Sequence, residues 1–409
     1  MHRVRVGAAL AGLAVLVAYL LPWVAHGGAQ WPFWDAQVYW WGGHRAAAGA
    51  ALYAPGARGN FTYPPFAAAV FGIGAGAAEG YLAAALTIGS AGALLVLGWL
   101  VLGAAGVRRR PETVFAVAAL ALAVGPVRDT LRLGEVNLIL AAMVGSDLLR
   151  RRDGGWGQGV ATGLAAGVKL TPLIFVIYLL ITRRIRAAAA AASAFAVTVA
   201  VGFLLLPSPS RVFWLGGVFL DERRVGNPVN PANQSLSGAL ARFAGGLDAA
   251  RPWWIGAAVV TGLAGLAVAG WAHGRGHRLA GATCCGLTGL LVSPFSWTHH
   301  WVWAAPLLVA LAVTAWRRRS PWYGLATVAA ALVFCGPFPL AWLGSLPGLG
   351  RLLAGDGYVL CGLAVLAGTG LALARERPAA GLPPVAERPA AGRPPVPERS
   401  VYCLNNIDL

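Results

Sequence analysis

Asp35 stands alone among aromatic rings in the run WDAQVYWWGGHR, residues 34–45. A carboxylate there is placed to take a proton from an alcohol, because aromatic shielding from water raises its pKa toward the range useful to a general base. The same residue also reads as a helix N-cap before AQVYWW. Both roles hold together only if its second oxygen stays free. Lys169, in GVKLTP, is the only lysine in the chain. An ammonium in apolar surroundings is costly and marks function by default, and its compact charge suits phosphate oxygens. Snorkelling at a helix end is the competing reading.

Further candidates lie in three other places. The loop VRDTLRLGEVN offers Arg128 for bidentate contact with a phosphate, and Glu135 and Asn137 for sugar hydroxyls. A solvated turn with Arg128 pairing locally to Asp129 would be worth little. His299 and His300 follow SPFSWT. Neighbours on a helix point in different directions, so the two make a poor pair of metal ligands. One suits a leaving phosphate or a hydroxyl while the other packs, and a plain interfacial belt with Trp297 and Trp301 is the alternative. Asn233-Gln234-Ser235 has the form of a glycosylation sequon; in a long polar loop, Asn233 and Gln234 also suit contact with a substrate.

The elements that must carry these residues belong in lipid. The chain has 409 residues, 58% hydrophobic and 11% charged, with mean hydropathy +0.65. Soluble domains carry roughly 25% charged residues. Apolar runs of spanning length recur, from a first one over 7–24, through 81–102, 113–127, 136–149 and 187–206, to 253–272, 279–292, 301–316, 324–342 and 358–374. Two short runs, 157–168 and 172–181, meet near Lys169. About twelve crossings result. The net charge of +17 is gathered in short clusters such as Arg108–Arg110, Arg150–Arg152, Arg183-Arg184 and Arg317–Arg319. That is the signature of cytoplasmic loops, not of a nucleic-acid surface.

Sidedness then sorts the polar groups. With the arginine clusters inside, both termini are cytoplasmic, and Asp35, Glu135, Asn137, Lys169, Asn233, Gln234 and the His299-His300 pair all fall at or near the outer surface. The tail repeats ERPAAGLPPVA and ERPAAGRPPVP, which cannot build a core. The expected organisation is an all-α transmembrane unit over 1–375 and a disordered cytoplasmic tail over 376–409. Of the five cysteines, Cys284, Cys285, Cys335 and Cys361 lie in apolar segments and Cys403 in the tail. None has metal-ligand spacing, so they read as packing residues.

The order and spacing of WDAQVYWWGGHR, FTYPPF, LRLGEVNLIL, GVKLTPLIF, NQSLSG and SPFSWTHHWVW resemble glycosyltransferase family 87, over about residues 1–374. The resemblance implies the GT-C type of membrane enzyme. Such an enzyme moves a sugar, most often mannose in α-1,2 linkage, from a polyprenyl-phosphate carrier to a glycolipid or glycan hydroxyl outside the cytoplasm of the plasma membrane, with inversion. It implies Asp35 as the base, and Lys169, Arg128 and one of His299 or His300 as partners of the phosphate. Tyr39, Tyr63 and Asn137 become sugar or acceptor contacts. No cofactor is expected and no metal ligands are assigned, the external carboxylates being too dispersed to argue for a cage; a lipid-linked donor agrees with a sequence that has no Walker run and no external DxD pair. Glu135 departs from the family's usual glutamine, which leaves arabinofuranosyl transfer as an alternative. A polyprenyl-lipid transporter or flippase shares the polytopic build, but its site would sit at the midplane and not on one face.

Overall fold

The computed structural model describes residues 33–56, 59–150, 155, 157–336 and 349–376. The expected first span over 7–24, Arg151 and Arg152, the end of the expected span 324–342 and tail residues 377–409 lie outside the described residues. The chain divides into two compact units, Met1–Leu373 and Ala374–Leu409, and the first holds all the helices except the very end of the last one. Among the described residues no strand forms; one isolated bridge joins Asn233 to Trp297.

The described residues are mostly helical because their apolar runs are rich in Ala and Leu and must satisfy their backbone internally in lipid. Helix α1 (Trp34–Ala47) is followed by α2 (Pro65–Gly72), then the long α3 (Glu79–Ala104). Its 26 residues extend about 39 Å, more than the ~30 Å hydrocarbon core. Next come α4 (Pro111–Ala121), α5 (Gly125–Leu133), α6 (Asn137–Leu148), α7 (Val160–Val168) and α8 (Ile174–Ile181), the last entered through a 3-10 turn at Thr171–Leu173. Helix α9 (Ile185–Leu205) leads into irregular turns, and α10 (Leu236–Ala244), α11 (Leu247–Gly274), α12 (Arg278–Val292), α13 (Ala304–Arg318), α14 (Pro321–Cys335) and α15 (Leu349–Arg375) complete the order.

Four helices among the described residues are long and apolar enough to cross a membrane: α3, α9, α11 and the Gly355–Arg375 part of α15. A fifth is counted if α4 and α5 form one broken span, bent by 81°. The single span expected over 113–127 is therefore interrupted. Pro126 lacks an amide donor and favours a helix's first turn, so the chain stops after Ala121 and restarts at Gly125. Helices α6, α12 and α14 are apolar but shorter.

Three local devices aim the polar residues. Helix α1 buries Ala36, Tyr39, Gly42 and Gly43, one face at helical spacing. At Gly43 a Cβ would lie 2.6 Å from the Phe71 carbonyl carbon, so only glycine lets α1 approach α2 this closely. Gly134 ends α5 in the left-handed region (φ 66), the usual C-terminal glycine role, and a Cβ there would meet Ala36 Cβ at 2.7 Å. The Phe33 amide donates to the Arg132 carbonyl at 3.2 Å. The corner before Glu135 is thus clamped to the start of α1. Finally, α7 ends at Val168 and Lys169 takes an extended conformation (φ −147), so the lysine sits at the break between α7 and the Thr171–Leu173 turn that leads into α8.

Candidate functional site

Where α1, the Gly134 corner, the break at Lys169 and the turn before α13 converge, they bring eight of the expected residues together. Glu135 is fully buried. Its Oε1 accepts the Tyr39 hydroxyl at 2.5 Å and the Lys169 ammonium at 3.2 Å. Lys169 Nζ also donates to Asn137 Oδ1 at 3.0 Å and lies 3.1 Å from His300 Nε2. Its ammonium stands 5.6 Å from the centre of the Tyr63 ring, within cation–π range. Tyr39 donates to Tyr63 Oη at 3.2 Å as an alternative orientation of the same hydroxyl, and its ring stacks on Phe71 at 4.5 Å.

His299 faces the other way. Its Nε2 lies 3.8 Å from Asp35 Oδ2 and 3.8 Å from Glu135 Oε2, both beyond hydrogen-bond length. Glu135 Oε2 is buried and accepts no hydrogen bond. Asp35 sits in the first turn of α1, and no side chain caps that helix; 24% of the Asp35 side chain is accessible. The cluster therefore presents a partly accessible and a buried carboxylate around a histidine nitrogen, none of them hydrogen-bonded to another.

Electrostatics separate the two acids. Burial, and then the Glu135 carboxylate, push Asp35 well above the usual carboxylate range, with Lys169 opposing. Burial also pushes Glu135 up, but Lys169, His299 and the hydrogen bonds from Tyr39 and Lys169 outweigh it and leave this acid lowered. Burial takes His299 down to about 4, with Glu135 opposing and Lys169 adding to the fall. His300 is also lowered well below the ordinary imidazole value, by burial and then by Lys169 and His299. At neutral pH both imidazoles are uncharged and Glu135 is ionised, while Asp35 is the acid of the pair that holds its proton more tightly than an ordinary carboxylate.

Both histidines serve the cluster, where only one was expected to. Thr298–His300 is a 3-10 turn, which sets the two rings at 88° with centroids 4.7 Å apart. His300 thus reaches Lys169 while His299 reaches the acids. Thr130 (2.9 Å) and Asn137 (3.0 Å) both donate to the His299 carbonyl and hold that turn; Ser90 Oγ reaches the Glu135 carbonyl at 3.4 Å. Thr130 lies inside the quoted VRDTLRLGEVN run, but nothing in its spacing announces the contact, and Ser90 carries no sequence signal.

Three expected residues are elsewhere. Arg128 Nε is 3.9 Å from Asp129 Oδ1, and its guanidinium lies beside Gly125. Asn233 and Gln234 are buried and bonded to the protein itself. Gln234 Nε2 donates to the carbonyls of Pro231 (2.7 Å) and Gly355 (2.6 Å), and its Oε1 accepts the Tyr358 amide at 3.1 Å. Asn233 Oδ1 accepts from Ser235 Oγ and the Ser296 amide. Such an asparagine is no accessible sequon.

Glu135, His299 and His300 are the one group of possible metal ligands among the described residues, their donor atoms within 4.8 Å of one another. Two of these three residues, Glu135 and His300, already contact Lys169 Nζ, so the ammonium competes with any ion for them.

The family model for Glycosyltransferase family 87 matches residues 61–294. The chain belongs to glycosyltransferase family 87. The matched residues of this family 87 enzyme include Tyr63, Glu135, Asn137 and Lys169. A relative from Mycolicibacterium smegmatis, a polyprenol-phosphate-mannose-dependent alpha-(1-2)-phosphatidylinositol mannoside mannosyltransferase, is 33% identical across 88% of this chain and 91% of its own. The Mycobacterium tuberculosis protein of the same description is 31% identical across 89% and 92%. A pentamannoside mannosyltransferase, also from M. tuberculosis, is 34% identical over 61% of this chain and 58% of its own. No solved structure matches the chain.

Proposed function

We propose that this family 87 glycosyltransferase moves mannose from a polyprenyl-phosphate carrier to a hydroxyl of a phosphatidylinositol mannoside or a related glycolipid. The named substrates of the relatives support donor, sugar and acceptor class. The observation that carries the chemistry is the chain of contacts Asp35–His299–Glu135–Lys169, which sets a titratable carboxylate and an ammonium in one cluster.

In this reading Asp35 removes the acceptor's hydroxyl proton as that oxygen bonds to the anomeric carbon. The bond from that carbon to the phosphate oxygen breaks, polyprenyl phosphate leaves with the electron pair, and the configuration inverts. The raised pKa of Asp35 makes it a stronger base than an ordinary carboxylate. Lys169 meets the charge growing on the phosphate. Its three N–H groups already face Glu135, Asn137 and His300, so the phosphate replaces one partner, and neutral His300 is the weakest. Glu135 Oε2, with no hydrogen bond, is left for a sugar hydroxyl, and its charge is balanced by Lys169, so it does not repel the donor. Tyr39, Tyr63 and Asn137 shape the sugar site. In this reading the Lys169 ammonium supplies the positive charge at the phosphate, and the donor is a substrate, not a cofactor.

The charge asymmetry of the loops supports an extracytoplasmic site and cytoplasmic termini; the recurring apolar runs and the family support a GT-C build of about twelve crossings, with the unit ending near residue 375. Membranes supplied with radiolabelled polyprenyl-phosphate-mannose and a phosphatidylinositol mannoside test the proposal. A new α-linked mannose on the acceptor is expected. Movement of the lipid without a glycosidic bond would point to a transporter instead.

A further inference from the structure

Beside Lys169 the polar cluster gives way to an apolar cleft. Asn137, Lys169 and His300 form its head, and it runs between α6, α8 and α12. On α6 the wall is Asn137, Leu140, Ala141 and Val144, positions three or four apart that share one face. From Asn137 to Val144 is about 10 Å along the helix. The opposite wall is Ile174 and Phe175 of α8, with Gly289 and Leu290 of α12. The cavity here has a volume of about 60 Å³ and is open on one side, and Thr171 in its lining is exposed.

The cleft has a direction. Helix α6 starts at the polar cluster and ends just before Arg150, whose loop belongs to the arginine-rich face. The cleft therefore descends from a polar head toward the hydrocarbon interior. Its head is built from Lys169 and His300, not from Asp35, which contacts His299 on the other side of Glu135. A ligand in the cleft has its charged group at the ammonium and its apolar chain along α6. The acceptor, whose reacting hydroxyl must meet Asp35, does not satisfy that arrangement.

We infer that this cleft takes the phosphate-proximal isoprene units of the lipid donor, and that it sets the enzyme's requirement for a polyprenyl chain. The inference rests on the donor reading above. At Gly289 an added Cβ would meet Ile174 Cγ2 at 3.2 Å, so larger side chains there grow into the cleft, as they do at Ala141.

The test compares mannosyl phosphate esters of a long polyprenol, of a single isoprene unit and of methanol, using the full chain in detergent. The wild type is expected to show a KM at least about tenfold lower for the polyprenyl ester than for the methyl ester. Ala141→Leu and Gly289→Leu should remove most of that preference while leaving the methyl ester's kcat/KM unchanged. An isoprenyl phosphate with a photoreactive group on its first unit should crosslink to α6, α8 or α12 of the unmutated protein, which covers the case that either variant misfolds. Equal losses for all three esters, or crosslinks only to other helices, would overturn the cleft assignment. A photoreactive acceptor lipid that labels α6 in place of the donor would overturn it too. Failure of the wild type to transfer mannose from any of the esters would instead refute the donor reading itself.

Discussion

Two buried polar regions of this protein contain similar side chains and treat them in opposite ways. Around Asn233, Gln234 and Ser235 the hydrogen-bonding capacity is spent within the protein: Gln234 joins Pro231, Gly355 and Tyr358, Ser235 Oγ accepts the Gly238 amide as an N-cap, and Arg242 pairs with Asp356. Around Asp35 and Glu135, by contrast, an acceptor oxygen is buried without a hydrogen bond and His299 Nε2 stops 3.8 Å short of both acids. Burying an unsatisfied polar atom is costly. The first region is joinery, holding the loop against the turn before α13 and the start of the last span. The second keeps its bonding capacity for something else.

Asp35→Asn breaks the contrast most severely. A general base contributes about 10²–10⁴ in rate, so kcat should fall by about a thousandfold while the fold persists. The folded-state pKa of Asp35 is raised, so its ionisation opposes folding and stability declines as pH climbs from the unfolded value toward that raised one. The asparagine variant should accordingly melt no lower than the wild type at neutral pH. The same shift places the rising limb of the wild-type pH–rate profile above the ordinary carboxylate range. Wild-type turnover by the Asp35→Asn enzyme would remove this carboxylate from the chemistry.

Lys169→Met should weaken polyprenyl-phosphate use by about ten- to a hundredfold in KM, the size of a charge-assisted hydrogen bond. It also leaves Glu135 buried without its cation, costing about 3–5 kcal/mol. Adding Glu135→Gln should restore most of the stability and little of the donor affinity. Recovery of both together would make the pair purely structural. Glu135 has a lowered pKa, so its contribution to stability is present above its unfolded value and is lost as pH falls through the folded one.

Gln234→Ala acts in the other region. It should cost about 1–3 kcal/mol for the partners left unbonded, read by thermal melting, with specific activity per folded molecule unchanged. A changed KM at wild-type stability would return Gln234 to the substrate site. The smallest effect on transfer is expected of Arg128→Ala: a donor KM within about twofold of wild type, since Arg128 stands apart from the Lys169 cluster. A larger rise in KM would bring Arg128 back to the phosphate.

The spans and the reactive cluster are differently legible in the sequence. Apolar runs bounded by arginines foretell α3, α9 and α11 to within a few residues, because length and hydropathy are local properties. Asp35, Lys169 and the histidines are also visible, since charge inside an apolar chain has few structural excuses. The break between α4 and α5 is hidden inside a run that reads as one span, although Pro126 offers its physical reason. The role of Asn233 and Gln234 cannot be told from residue type, because an amide on an outer loop looks the same whether it bonds a sugar or a backbone carbonyl. Thr130 and Ser90 stay hidden because their partners are backbone groups distant in sequence.

The solitary lysine has a practical corollary. Arginine resists acylation, so in a chain of 409 residues with one such side chain, an amine-selective reagent has a single internal target besides the amino terminus. Its incorporation reports whether one pocket is vacant, and a carrier lipid that shields the pocket announces itself as protection, with no engineered label.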